Sequence, residues 1–197
     1  VLATCLGLFA ARASTRYVFP LRAGIMGFIM LPLVLPEVIV AISLLVVLMQ
    51  LGLQTSVFTI ILGHTLLCMP FAIAILQGSF SGLDQSLEEA AMDLGETRLG
   101  AFRLVILPLV VPGIIASLLI CFIISLDEFI IAFFLSGNEP TLPVYLWGLL
   151  RFPARLPIVM ALGTVLVVLS IVLLIVADGF RRRGLRKAGQ DDSGGFL

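Results

Sequence analysis

Apolar runs divided by short polar interruptions set the pattern of this chain. Residues 1–11 are apolar but too few to cross a bilayer, which takes about 20 residues of helix. They read as the end of a span that begins upstream. Arg12, Arg16 and Arg22 follow in a polar connection. The runs 23–49, 56–77, 104–135 and 157–177 are each long enough to span. The first is punctuated by Pro32, Pro36 and Glu37, the second by His64 and Pro70, and the third by Asp127-Glu128, while the fourth carries no charge. This pattern predicts an all-α, polytopic transmembrane bundle over 1–178, with one partial and four complete spans. The tail 179–197 is basic, then Gly/Ser-rich, and is expected to be disordered.

The longest polar interruption, 78–103, has more internal order than a connecting loop needs. Ser86 and Glu89 have the spacing of a capping box. Leu87, Ala90, Ala91 and Leu94 recur at the spacing of one helical face. Gly95 suits a left-handed helix stop, and Thr97 can cap a second helix that runs into Leu107-Pro108. The expectation is two short helices meeting at a glycine elbow. Such an elbow is either a knob that docks in a groove on a soluble partner or a segment packed on its own bundle and the headgroup interface. The pattern leaves both open.

Composition makes the membrane reading firm. The chain is 60% hydrophobic and only 12% charged, about half the charged share of soluble domains, with mean hydropathy +1.20. Net charge is zero, yet the basic residues are unevenly placed. Ten of them lie in the 12–22 connection, the elbow (Arg98, Arg103) and the tail, and only Arg151 and Arg155 lie on the other side. The excess of positive charge on the inner side of membrane proteins puts the elbow and the C-terminus in the cytoplasm. Cys5, Cys68 and Cys121 match no zinc or disulfide spacing and read as small buried hydrophobes. The chain opens at Val1 in apolar sequence, which reads as an N-terminally incomplete fragment.

Charges in the hydrocarbon region cost about 2.5–3.5 kcal/mol each on insertion scales. Glu37 is 14 residues after Ala23, about 21 Å at the helical rise, and so is expected near mid-membrane. Asp127 and Glu128 fall in the outer half of their span and point roughly 100° apart. Two readings stay open for these acids: neutralised or paired inside the bundle, or lining a path for a cationic solute. Three acids without an intramembrane Lys or Arg favour a cation over an anion. His64 has no partner at ligand spacing and reads as a hydrogen-bonded structural residue. Tyr145 and Trp147 suit an aromatic belt at the membrane interface. Pro32/Pro36 and Pro108/Pro112 can kink helices for packing or for gating.

Glu89-Ala90-Ala91, three residues, Gly95, nine residues, Val105, one residue, Leu107-Pro108 resembles the E-A-A-x3-G-x9-I-x-L-P signature of ABC-importer permease subunits, with Val105 for isoleucine as the one departure. The resemblance implies that Glu89, Ala90, Ala91, Gly95, Val105, Leu107 and Pro108 form a coupling loop seated on an ABC ATP-binding subunit, itself a dimer. It further implies a second permease subunit, a periplasmic or extracellular solute-binding protein, and a bacterial or archaeal cell membrane. ATP and magnesium then belong to the partner ATPase, since this chain lacks a G-x-x-x-x-G-K-[ST] phosphate loop and is itself not catalytic. The stretches 36–45, 125–129 and 141–145 are similar to the second permease subunit of the spermidine/putrescine subfamily. Related importers of iron, thiamine and opines share parts of them. The usual first span and an early periplasmic segment of the family are missing before Val1. A self-sufficient secondary transporter or channel using Glu37, Asp127 and Glu128 is the competing reading. A membrane-bound enzyme is a distant third, since no nucleophile–base pair or metal cluster has suggestive spacing, and nothing points to nucleic acid.

Overall fold

The computed structural model describes residues 1–187, all of whose regular elements are helical. The Gly/Ser-rich end of the expected tail lies outside the described residues. The helices are α1 (Leu2–Arg16), α2 (Arg22–Met30), α3 (Glu37–Gln50), α4 (Val57–Ser81), α5 (Ser86–Asp93), α6 (Arg98–Ala101), α7 (Leu107–Asp127), α8 (Ile130–Leu135), α9 (Leu142–Leu149) and α10 (Leu156–Lys187). Three stretches among the described residues are long and apolar enough to cross a membrane: Val57–Ser81, Arg98–Asp127 and Pro153–Gly184. A fourth span exists if α2 and α3 are taken together.

That fourth span corrects the picture of 23–49 as one helix. The chain bends by 107° between Leu33 and Glu37. Pro32 sits in a 3₁₀ turn (Leu31–Leu33), and Pro36 leaves the helical region with ψ 129° just before α3. A proline ring removes an N–H and clashes with the carbonyl four residues back, so two prolines four residues apart end one helix and permit another at a new angle. Glu37 is therefore the first residue of α3, and its depth cannot be counted along a helix starting at Ala23. The third run divides similarly. α7 stops at Asp127, Glu128 is extended, and α8 starts at Ile130. By contrast, nothing breaks at 178. There Asp178 bonds Arg181 at 2.9 Å and Arg182 at 2.6 Å, pairs one helical turn apart within the continuous α10.

Small residues let the long helices approach closely. α1 runs parallel to α4: a methyl group added at Gly7 would sit 2.8 Å from Ala72 Cβ, and further along Gln77 donates to Ser14 Oγ at 2.7 Å. α4 runs antiparallel to α7, with Gly113 against Ser79. Cys68 and Cys121 each direct their thiol at the other's carbonyl, at 3.5 and 3.6 Å. Those two cysteines are buried as expected, whereas Cys5 is exposed. α3 and α8 pack together beside α4 around Ala41, Ile60, Ile131 and Leu135. α10 lies along α7, and its other faces are open along the apolar stretch. One end of the bundle gathers the end of α1, the end of α4 and the elbow, sealed by a cluster of Ala11, Leu76, Phe80, Leu83, Ile106 and Val110.

Candidate functional site

The elbow forms from local signals. α5 is capped differently from the sequence expectation. Ser86 is already its first residue and makes no side-chain cap, while Asp84 Oδ1 accepts the Ser86 N–H at 3.0 Å. That bond holds the Asp84 carboxyl below the usual carboxylate range. The end of α5 fits the expectation for Gly95, which adopts φ +95°. Gly95 N–H donates to Met92 O at 2.9 Å and Glu96 N–H to Ala91 O at 3.1 Å. These are the two bonds of a Schellman stop. Thr97 Oγ1 then accepts from Gly100 N–H at 3.1 Å and starts α6.

α6 does not end at Ala101. It widens into a π-helical turn over Phe102–Ile106 and enters α7 directly. Pro108 supplies a reason: in an ordinary helix its ring would meet the Leu104 carbonyl, and a wider turn moves that carbonyl aside. The signature residues separate into two groups. Glu89, Ala90, Gly95 and Pro108 are exposed. Ala91 is buried, and Val105 and Leu107 pack on the end cluster. The expected single face of Leu87, Ala90, Ala91 and Leu94 is split, since only Ala91 turns inward. Leu94 and Leu99 remain 88% and 74% exposed on the two arms. The elbow is thus anchored by one side and presents apolar side chains on the other.

The three acids of the membrane region are placed differently from one another. Glu128 is buried, at 6% exposure. Its two oxygens accept Ile131 N–H at 2.7 Å and Ala132 N–H at 2.9 Å, capping α8, and His64 Nε2 lies 3.1 Å from Oε2. The other ring nitrogen of His64 lies 2.7 Å from Ser125 Oγ. His64 thus has a hydrogen-bonding partner in Ser125 and a close carboxylate in Glu128 that spacing along the sequence did not reveal. Asp127, the neighbour of Glu128, points away from this network. It is exposed and accepts from Ser170 Oγ of α10 at 3.1 Å. Glu37 is half-buried at the start of α3. The breaks before α3 and α8 thus place Glu37 and Glu128 each beside a helix start, while Asp127 ends α7. Among the described residues, no group of three or more His, Cys, Asp or Glu is placed to hold a metal ion.

At the far end of the bundle Trp147 packs at a tilt on Phe129 and edge-on to Phe133, at centroid separations of 5.9 and 5.3 Å, under the guanidinium of Arg151. Sequence reasoning also missed Arg12, Glu88 and Phe102, whose side chains meet at the elbow. Their separation of up to 90 residues gave no local signal.

Comparison with known proteins agrees with this architecture. Residues 3–186 match the family described as binding-protein-dependent transport system inner membrane component. The chain is 31% identical over 183 residues to the spermidine/putrescine transport system permease protein PotC of Haemophilus influenzae, covering 92% of this chain and 71% of that protein. It is 32% identical over 177 residues to PotC of Escherichia coli, covering 89% and 67%. It is 36% identical over 172 residues to the putrescine transport system permease protein PotI of Escherichia coli, covering 83% and 61%. A multi-pass helical bundle with the E-A-A loop signature at one end, matched along almost its whole length, belongs to the family of binding-protein-dependent transport system inner membrane components.

Proposed function

We propose that this chain is a permease subunit of an ATP-driven importer that moves spermidine, putrescine or a related small organic cation into the cytoplasm. The observation that carries the coupling half of this reading is the elbow. It is fixed to the bundle through Ala91, Val105 and Leu107 and offers Leu94 and Leu99 outward. Such a surface suits the groove of a soluble ATP-binding subunit, where ATP and magnesium would reside. The basic residues at the same end favour a cytoplasmic position for it. A second permease subunit would complete the path, and a solute-binding protein would deliver the cargo at the opposite end.

The cation half rests on the names of the relatives and on the acids. Asp127, exposed at the end of α7, is the best placed of the three to meet a solute. Glu37 lies at a helix break, where irregular backbone is tolerated only against protein or a water-filled cavity. Glu128 serves the path indirectly, by fixing the junction of α7 and α8. The test is uptake into vesicles holding the complete partner set, with labelled putrescine and spermidine and an anion control. ATP-dependent accumulation of the cations supports the reading. Transport without any ATP-binding subunit, or a preference for the anion, would overturn it.

A further inference from the structure

We propose that Arg12 is a positioning residue that ties the coupling elbow to α1, so that α1 moves with the elbow. Two contacts converge there, and a third lies beside them. Arg12 Nη2 lies 2.8 Å from Glu88 Oε1 of α5, with both side chains largely withdrawn from solvent. The same guanidinium stands 3.9 Å over the ring of Phe102, the first residue of the π-helical turn. One turn on, Arg16 Nη2 donates to the Leu83 carbonyl just beyond α4, at 3.0 Å.

The arrangement selects arginine for physical reasons. A planar guanidinium can pair with a carboxylate through its edge and stack on an aromatic ring through its face. Here the edge engages the first arm of the elbow and the face engages the second. The arms turn at Gly95 and also touch each other directly, and a brace from outside adds a further hold on the angle between them. The brace comes from α1, which also packs along α4 and touches α7. A displacement of the elbow is thereby passed to a span not joined to it in sequence. Glu88 and Phe102 lie outside the fixed positions of the E-A-A signature, so this contact adds to that motif.

This inference rests on the coupling role proposed above, and two measurements keep the two apart. Hydrogen exchange of residues 86–100 in the purified protein reads the brace directly. Arg12→Gln and Glu88→Gln are expected to speed exchange there at least several-fold. Arg12→Lys, which keeps the charge but lacks the planar fork, is expected to be intermediate. The double exchange Arg12→Glu with Glu88→Arg is expected to restore much of the protection. Unchanged exchange in Arg12→Gln would overturn the brace, whatever the protein transports. The second measurement is cation uptake per ATP hydrolysed in the reconstituted complex. Arg12→Gln is expected to lower that ratio at least several-fold while the subunits still co-purify, with partial recovery in the charge exchange. An unchanged ratio in an assembled complex would overturn the transmission. Absence of solute-stimulated ATP hydrolysis in the unaltered complex would instead overturn the coupling role.

Discussion

Glu128 and His64, 64 residues apart in sequence, stand 3.1 Å apart where α7 gives way to α8. The contact joins a buried carboxylate to the imidazole of α4 while the same carboxylate caps α8 through two backbone N–H groups. Glu128→Ala leaves two backbone donors without their acceptor and the imidazole without its nearby carboxylate. Its expected cost is about 3 kcal/mol, in the range for breaking a buried polar network. Glu128→Gln keeps an acceptor and is expected to lose about 1 kcal/mol. Equilibrium unfolding in detergent checks both values, and a neutral alanine variant would show that the cap carries no weight.

Gly95 sets the elbow. A side chain at φ +95° enters a region that costs ordinary residues about 1–2 kcal/mol. Nothing stands within 4 Å of a β-carbon placed there, so the penalty is conformational and not steric. Gly95→Val is expected to fray the Schellman stop and reduce uptake per ATP, while Gly95→Asn, which tolerates the left-handed region, is expected to retain most of it. Equal behaviour of the two variants would remove the conformational explanation.

Asp127 separates charge from structure. In Asp127→Asn the amide oxygen can still accept from Ser170, so the α7–α10 contact persists. Uptake of a cation is expected to fall several-fold with assembly unchanged. Full uptake in the amide variant, measured with labelled putrescine, would remove Asp127 from the proposed path.

Gly63 sits at a close approach of α4 to α8. A methyl group there would collide with Ile131 and come within 2.9 Å of Leu135 Cδ1. Gly63→Ala is expected to destabilise by about 1–3 kcal/mol, as overpacked cores do. Gly27 provides the comparison, since a methyl group added there would meet nothing within 4 Å. Gly27→Ala is expected to be neutral or mildly stabilising, because alanine favours helix over glycine by up to about 1 kcal/mol. Thermal denaturation of the two variants side by side decides the matter.

What could be read from the sequence was mostly local. Gly95 and Thr97 were legible because a helix stop and a cap depend on a few adjacent residues. Ser86 misled for the same reason: Asp84, two residues earlier, offers a competing acceptor, and spacing alone does not choose between them. Pro32 and Pro36 announced an interruption, but the 107° bend also depends on how α3 settles against α8. The His64–Ser125 and Cys68–Cys121 contacts show one turn forward along α4 matched by one turn back along α7. That antiparallel register pairs residues more than 50 apart, and no single stretch contains it. Asp127 and Glu128 diverge, but not by the angle of adjacent helical residues: α7 ends at Asp127, and the extended Glu128 turns inward onto the first N–H groups of α8 beside His64.

The stretch Arg98–Asp127 contains 30 residues, about 45 Å of helix against a hydrocarbon thickness of about 30 Å. Antiparallel α10 helps locate the surplus: Ser170 meets Asp127 near one end, and Gly184 reaches Pro112 near the other. The portion of the rod preceding Pro112 therefore extends past the contact with α10 toward the elbow. A continuous helical stretch of that length has the reach of a lever. Tilting it by about 10° around its middle would carry each tip about 4 Å, so a small rotation within the bundle would reach the elbow as an ångström-scale stroke.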